Sequence, residues 1–430
     1  MKNYNVVELF SGIGSQARAL ERLGFKITVQ ATCEWDVHAF TAYDAIHSKG
    51  NVASDKITEI NHWSRKELIK KLSEYNLSFD GKRPSSKNTL EYYDTKILRV
   101  IMGSIIRNNN LIDISSVKGE MMPDNTDILT YSFPCQDLSN VGAFHGYNKG
   151  IDRNSGSRSS LIWQVGRVLF EMKDCGKRLP KYLIMENVPT LLSGRHKPNF
   201  ELWIKELDDL GYISKYVPVN AKNYGLPQNR PRLLMISVYA GGDIKLKEKL
   251  KNYFCAWGDN EDKILYDYKN SIYYKELYLN ELLRIPLDPS SKFWMEALEC
   301  TPNNTPSRKK IWDANPKIVN EEGVLTDDKF IRTITTKQDR HPNSGNIWFH
   351  SGIPGRANFR YLTPRECLLF MGFTDDDYDK MNNLNNLCGD NKKILPRDKI
   401  IRLAGNSIPI QMLEGFFYQL YNIEKIVSAM

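Results

Sequence analysis

Pro134-Cys135-Gln136 joins an apolar, strand-like run at residues 127–133 to polar, glycine-containing sequence that reaches Gly150. A second strand-like run, residues 182–185, ends in Glu186-Asn187-Val188. A sulfur nucleophile at one strand end and a carboxyl at another can together attack a ring and protonate it, chemistry that suits a pyrimidine base. An ordinary thiol with a pKa near 8.5 is only about 3% thiolate at pH 7, and lowering that value to 7 gains roughly fifteenfold. The larger share of the rate must therefore come from making the ring electrophilic, and Glu186 is the candidate for that. Gln228-Asn229-Arg230-Pro231-Arg232 places two arginines two residues apart, on one face if the chain is extended there. As a pair they suit a base carbonyl, a carboxylate or a phosphate. Cys33, Cys175 and Cys367 read instead as small buried hydrophobes.

Gly12-Ile13-Gly14-Ser15-Gln16-Ala17 fits the GxGxxA pattern between a strand and a helix. Such glycines let the backbone turn tightly and approach a ligand closely. Glu34, at the end of the next strand, can bind ribose hydroxyls, and Trp35 beside it can stack on an adenine. These features fit NAD, FAD or S-adenosylmethionine.

The elements that must position these groups alternate strand and helix in the first part of the chain. Strands are expected at 6–9, 27–34, 127–133, 182–185 and 233–238, with helices at 16–23 and 161–172. That alternation predicts an α/β fold with a parallel, doubly wound sheet. Residues 50–110 interrupt it as a polar, basic insertion. In it, Ser64-Arg65-Lys66-Glu67 forms a capping box that opens a short helix, and residues 82–87 form an exposed loop. From Gly241 the alternation stops, which predicts a second, irregular domain over 241–399. A helical stripe of Met412, Phe416, Leu420 and Ile423 closes the chain. The first domain is thus expected to comprise 1–240 and 400–430.

Composition sets wider bounds. With 430 residues, 41% hydrophobic and 26% charged, the chain can build a full core and two domains. No apolar run approaches the roughly 18 residues that span a bilayer. The N-terminus leads straight into a strand, which predicts no signal peptide. Seven scattered cysteines are expected as free thiols in a reducing cytoplasm, and no Cys/His spacing suggests a metal. The net charge of +8 allows a polyanionic partner.

Taken in order, the motifs resemble those of bacterial-type DNA (cytosine-5-)-methyltransferases. They are Glu8-Leu9-Phe10-Ser11-Gly12-Ile13-Gly14, Glu34-Trp35, Asp113-Ile114, Phe133-Pro134-Cys135-Gln136, Glu186-Asn187-Val188 and Gln228-Asn229-Arg230-Pro231-Arg232. Arg360-Tyr361-Leu362-Thr363-Pro364-Arg365-Glu366-Cys367 and Gly405-Asn406-Ser407 complete the series. The resemblance spans nearly the whole chain and implies a Rossmann-like S-adenosylmethionine-dependent fold with a target-recognition domain. It implies that Phe10, Ser11, Gly12, Gly14, Glu34, Trp35, Asp113, Ile114, Pro134, Leu161 and Asn406 hold S-adenosylmethionine, leaving S-adenosylhomocysteine as product. Asp113 is preferred over Asp55 because its spacing to the Cys motif matches.

The implied reaction rotates a cytosine out of the duplex, at a cost of a few kcal/mol. Cys135 attacks C6 and Glu186 protonates or hydrogen-bonds N3. Arg232 holds the cytosine carbonyl and Arg230 supports the site. The methyl group passes to C5. Gln136, Asn187, Gln228 and Thr333 are the implied substrate contacts. Arg308, Lys309, Lys310, Arg332, Lys337 and Arg340 suit DNA phosphates. Ser132 stands where many relatives have Gly, and the Cys loop and the 50–110 insertion are both longer than in compact members. The expected protein is a monomeric, cytoplasmic enzyme of bacterial or phage origin that methylates double-stranded DNA. It would be the modification partner of a type II restriction endonuclease acting on the same site. A tRNA-directed relative, a non-catalytic DNA-binding regulator and an NAD dehydrogenase are the competing readings.

Overall fold

The computed structural model describes residues 3–48, 55–135, 137–138, 150–153, 155–285, 288–387 and 392–428. They form two compact units. Unit 1 comprises Met1–Val219, Pro231–Tyr273 and Met412–Met430, and unit 2 comprises Asn220–Arg230 and Tyr274–Gln411.

Unit 1 is built on strands β1 (Asn3–Leu9), β2 (Lys26–Cys33), β3 (Ile128–Tyr131), β4 (Tyr182–Asn187), β5 (Tyr212–Asn220) and β7 (Pro231–Tyr239), in the order β2-β1-β3-β4-β7-β5. The β2-β1-β3-β4 part is parallel, and β7 runs antiparallel to β4. Val7, Leu9, Leu129, Tyr131, Leu183 and Met185 are buried on one face, and Val6, Glu8, Ile128, Thr130, Tyr182 and Ile184 on the other. A sheet covered on both faces explains why these strands read as near-continuous apolar runs. The helices Ile162–Asp174 and Lys197–Asp209 cover the first face with Val165, Val168, Leu169, Met172, Phe200, Trp203 and Leu207. Trp203 Nε1 donates to the Tyr131 hydroxyl at 3.2 Å, which satisfies two polar atoms inside that core.

Helices α1 (Ser15–Arg22) and α2 (Val37–His47) follow β1 and β2. The described part of the 50–110 segment carries the helices α3 (Asp55–His62), α4 (Arg65–Leu72), α5 (Lys87–Glu91) and α6 (Thr95–Arg107). The Ser64/Glu67 capping box forms as expected. The apolar face of α6 packs on α2, α3 and α4. Arg107 of α6 is ion-paired with the nearly buried Asp44 of α2.

The compact units differ from the boundaries expected at 240 and 400. The helices Ile244–Cys255 and Asp262–Lys269 bury Leu250, Phe254, Ile264 and Tyr268 within unit 1. Trp257 meets Phe416 edge-on, and the Tyr268 hydroxyl donates to Glu414 at 2.5 Å. The closing stripe needed an apolar partner, and this segment supplies it. That stripe is two helices, Ile410–Phe417 and Gln419–Ser428, rather than one. Cys175 is exposed, contrary to expectation, whereas Cys33 and Cys367 are buried.

Unit 2 holds a three-stranded sheet of β8 (Lys317–Val319), β10 (Asn346–Trp348) and β11 (Phe359–Arg360). It also pairs the short strand β6 (Gln228–Asn229) in parallel with β9 (Ile331–Arg332). The Arg360–Glu366 pair is wholly buried and doubly hydrogen-bonded at 2.7 and 2.8 Å. Glu366 also accepts from the backbone N–H groups of Thr363 and Arg284, so the charge is fully surrounded by donors. Among the described residues no helix is long and apolar enough to cross a membrane. None of their His, Cys, Asp or Glu groups clusters as a metal site.

Candidate active site

Strand register aligns the candidate residues. Leu9 pairs with Cys33 on one side and Tyr131 on the other, and Tyr131 pairs with Met185. The next residues along these four strands are Phe10, Glu34, Ser132 and Glu186, so all emerge at one edge of the sheet. The chain leaves β1 towards β2 on one side, while β3 lies on the other. The carboxyl ends of β1 and β3 therefore flank a topological switch point, where open α/β sheets bind ligands. Gln16 of α1 donates to Ser132 Oγ at 3.1 Å across that point.

On the β3–β4 side, Asn187 is buried and donates to the Phe133 carbonyl at 3.0 Å. This bond ties the strand end carrying Glu186 to the segment carrying Cys135. Ser159 Oγ donates to the Pro134 carbonyl at 2.5 Å, and Leu138 N–H donates to the Cys135 carbonyl at 3.0 Å. The thiol of Cys135 is half-buried and not in a disulfide. Antiparallel pairing sets Asn187 opposite Leu233, which brings Arg232 to the same edge. Its Nε lies 2.9 Å from Glu186 Oε1, and both side chains are largely buried. A planar guanidinium so placed holds the carboxyl in one orientation; its Nη1 donates to the Pro231 carbonyl at 2.7 Å, which leaves Nη2 to reach a further acceptor.

On the β1–β2 side, Phe10 takes a left-handed backbone (φ 56°) that ends β1. Gly12 (φ 55°) and Gly14 (φ 80°) continue the turn. A side chain at Gly14 would lie 2.1 Å from His47 Nε2, so the loop admits none there. Gly12 N–H donates to Glu34 Oε2 at 3.1 Å, and Asp36 N–H donates to Oε1 at 2.9 Å. Ser11 Oγ is buried without a hydrogen-bond partner among the described residues, and the space over Gly12 is open. A buried orphan hydroxyl beside an open glycine fits a polar ligand such as an adenosine cofactor. Trp35 is half-buried, Ile114 is buried, and Leu161, two residues after Ser159, packs on the core. Asp113 accepts from Ser115 N–H at 2.9 Å and from Asn76 Nδ2 at 2.5 Å.

The structure gives several of the expected residues contacts of their own, and two of them, Arg230 and Gln228, are wholly enclosed. Arg230 and Arg232 do not act as a pair on one face, because extended structure breaks between β6 and β7. Arg230 is buried in unit 2 and donates to the carbonyls of Ile334, Gly405 and Ser407 at 2.7–2.8 Å. It is a structural clamp rather than a group facing a base. Gln228 is equally enclosed: its amide joins the Phe370 carbonyl to Ile334 N–H. Asn187 has the internal role given above and no surface for substrate. Thr333 donates to the Asn229 carbonyl at 2.7 Å, locking β9 beside β6. Asn406 is exposed at the end of the helix Arg397–Asn406 in unit 2. Gln136 lies outside the described residues, as does most of the Cys loop. Of the basic residues, Arg308 is ion-paired with Asp339. Lys309, Lys310, Arg332, Lys337 and Arg340 are exposed.

Sequence reasoning missed Asn110 and Asn76, which hydrogen-bond Glu34 and Asp113, because a lone Asn in a polar insertion carries no signal. It also missed the burial of Glu8, since an acid inside a strand motif reads the same whether its carboxyl faces water or the core.

The family model for C-5 cytosine-specific DNA methylases matches residues 4–74 and 87–422. The chain is 31% identical over 418 residues to the orphan methyltransferase M.SssI of Spiroplasma monobiae, covering 96% of each protein. It is 29% identical over 416 residues to the type II methyltransferase M2.ScrFI of Lactococcus lactis subsp. cremoris, covering 97% of this chain and 98% of that one. Among solved structures, the Dnmt2 methyltransferase of S. pombe matches with a TM-score of 0.55 at 16% identity, over 98% of this chain and 99% of the other. With β1, β3 and β4 delivering a cofactor loop, a cysteine and a glutamate to one sheet edge, the chain belongs to the C-5 cytosine-specific DNA methylase family and is an S-adenosylmethionine-dependent DNA cytosine-5 methyltransferase.

Proposed function

We propose that this enzyme methylates one cytosine within a specific duplex sequence after rotating it out of the helix, with Cys135 as nucleophile and Glu186 as the group that activates the ring. The observation that carries this reading is the aligned β3 and β4 ends, tied by the Asn187–Phe133 hydrogen bond, with Arg232 fixing the Glu186 carboxyl at 2.9 Å.

Cys135 Sγ bonds to C6, and the electron pair of the C5=C6 bond is drawn towards N3. Glu186 protonates or hydrogen-bonds N3, so the ring can accept that pair. Arg232 holds Glu186 through Nε and offers Nη2 to the cytosine carbonyl. C5 becomes nucleophilic in consequence. Bound S-adenosylmethionine supplies a methyl group already activated by the sulfonium charge. A water-borne base takes the C5 proton, the freed electron pair re-forms the C5=C6 bond as Cys135 Sγ leaves as thiolate, and N3 returns its proton to Glu186, which restores the aromatic ring. Ser11, Gly12, Glu34, Trp35, Asp113 and Ile114 would hold the cofactor.

Unit 2, with its exposed Lys309, Lys310, Arg332, Lys337 and Arg340, reads the target sequence and contacts phosphates. The enzyme works in the cytoplasm as a monomer. The type II name of one relative favours a restriction endonuclease acting on the same site, without direct contact; the orphan name of another favours methylation alone.

The test supplies radiolabelled methyl donor with duplex DNA or tRNA. Label is expected in DNA, and Cys135→Ala is expected to abolish it while DNA binding persists. Label confined to tRNA, or full activity in the Cys135 variant, would refute the reading. Bisulfite sequencing of DNA from cells expressing the enzyme then reveals the methylated site.

A further inference from the structure

Three struts run from the inserted segment to the cofactor side of unit 1. The side chain of Asn110 is buried and bonds both backbone groups of Glu34: Glu34 N–H donates to Oδ1 at 3.0 Å, and Nδ2 donates to the Glu34 carbonyl at 2.9 Å. The same Oδ1 accepts Ile112 N–H at 3.1 Å. Ser78 brackets the next residues, donating its N–H to the Trp35 carbonyl at 2.8 Å and accepting Val37 N–H at 2.9 Å. Asn76 Nδ2 donates to Asp113 Oδ2 at 2.5 Å.

These struts hold backbone that would not hold itself. Asn109 and Ile112, on either side of the Asn110–Leu111 pair, both have left-handed backbones, at φ 43° and 64°. For a β-branched residue such as Ile112 this is a strained conformation that persists only where its surroundings impose it. The strained turn aims Asp113, and Asn76 with Ser115 N–H leaves the carboxylate one orientation. Each Asp113 oxygen retains a lone pair for a donor such as an exocyclic amine.

We propose that Asn76 and Asn110 are positioning residues for the adenosine of the methyl donor, and that the inserted segment 76–110 serves as a brace for that subsite. Asn110 sets Glu34 for the ribose, and Asn76 sets Asp113 for the adenine amine. The proposal rests on the reading of Glu34 and Asp113 as cofactor contacts.

The full-length enzyme tests it with three variants: Asn76→Ala, Asn110→Asp and Asp113→Ala. Asn76 is exposed, so its variant removes a hydrogen bond without opening the core. Asn76→Ala is expected to raise both KM and the dissociation constant for S-adenosylmethionine about three- to tenfold, the worth of one hydrogen bond. Its kcat, its KM for DNA and its melting temperature without cofactor should match the parent enzyme. Its preference for S-adenosylhomocysteine over the inosine counterpart as inhibitor should shrink, because the amine-reading carboxylate is no longer fixed. Asn110→Asp keeps the acceptor for Glu34 and Ile112 N–H but loses the donor to the Glu34 carbonyl, and is expected to weaken cofactor binding in the same sense. The brace is refuted if Asn76→Ala binds cofactor as the parent does while Asp113→Ala binds weakly; the adenosine reading then survives. If Asp113→Ala itself binds normally, the adenosine reading fails and the brace with it. Equal losses in kcat, DNA affinity and cofactor-free stability would show a general structural role and also overturn the proposal.

Discussion

Replacing Glu8 by Gln tests how the cofactor loop is anchored. Glu8 is inaccessible to solvent on β1. Its Oε1 accepts Ala17 N–H of α1 at 3.1 Å, and its Oε2 accepts the Tyr43 hydroxyl of α2 at 2.5 Å. The carboxyl therefore ties together the two helices that follow the loop and β2. Burial pushes its pKa up from 4.5 to about 7, against the opposing effect of its two hydrogen bonds, and Glu21 adds a like charge. The folded protein thus keeps a proton that the unfolded chain releases from pH 4.5 upwards. The contribution of this group is fully present below pH 4.5 and is lost as pH rises through about 7. The spread between 4.5 and about 7 corresponds to about 3 kcal/mol, at roughly 1.4 kcal/mol per tenfold. Gln is neutral throughout, can still accept from Ala17, and exchanges its Tyr43 bond at a cost independent of pH. Urea unfolding of both proteins at pH 5, 6, 7 and 8 isolates the difference. Glu8→Gln should gain about 2–3 kcal/mol relative to the parent between pH 5 and pH 8, since part of the full spread is already lost at pH 5. A stability difference that stays constant across that range would refute a buried, proton-holding Glu8.

Other perturbations separate structural arginines from functional ones. Arg230→Ala leaves three buried carbonyls without their charged donor and should cost about 3 kcal/mol or more, seen as a lower melting temperature. Arg232→Ala should lose at least about a hundredfold in kcat, the range of a lost electrostatic partner at a reacting centre; retained kcat in the folded variant would remove Arg232 from the mechanism. Glu366→Gln breaks a wholly buried, doubly bonded pair and should destabilise the protein by about 3–5 kcal/mol in denaturant titration. Gly14→Ala forces a left-handed alanine into His47 and should weaken S-adenosylmethionine binding in equilibrium dialysis, while Cys175→Ala, at an exposed site, should change nothing.

How far the site was legible follows from the range of each signal. The glycine loop, Glu34, Cys135 and Glu186 sit at ends of strands marked by apolar runs, so residue type and position along the chain sufficed to single them out. The resemblance in motif order then supplied their chemistry. Arg230, Gln228 and Asn187 share the same motifs, yet each side chain is spent inside the protein. An arginine that clamps three carbonyls and one that meets a glutamate look identical two residues apart.

The sequence by itself determined the alternating α/β core, the cysteine and glutamate candidates and a loop suited to an adenosine-type cofactor, because periodicity and short turn motifs are local properties of a chain; S-adenosylmethionine in particular was implied by the order of the motifs. Tertiary structure alone decided that β7 enters the sheet antiparallel and so delivers Arg232 to Glu186. It decided that residues 244–269 complete the core under the C-terminal helices, and that Asn110 and Asn76 reach Glu34 and Asp113. These outcomes depend on which buried surfaces meet and which polar groups must be satisfied where they meet, and neither is encoded at any single spacing along the chain.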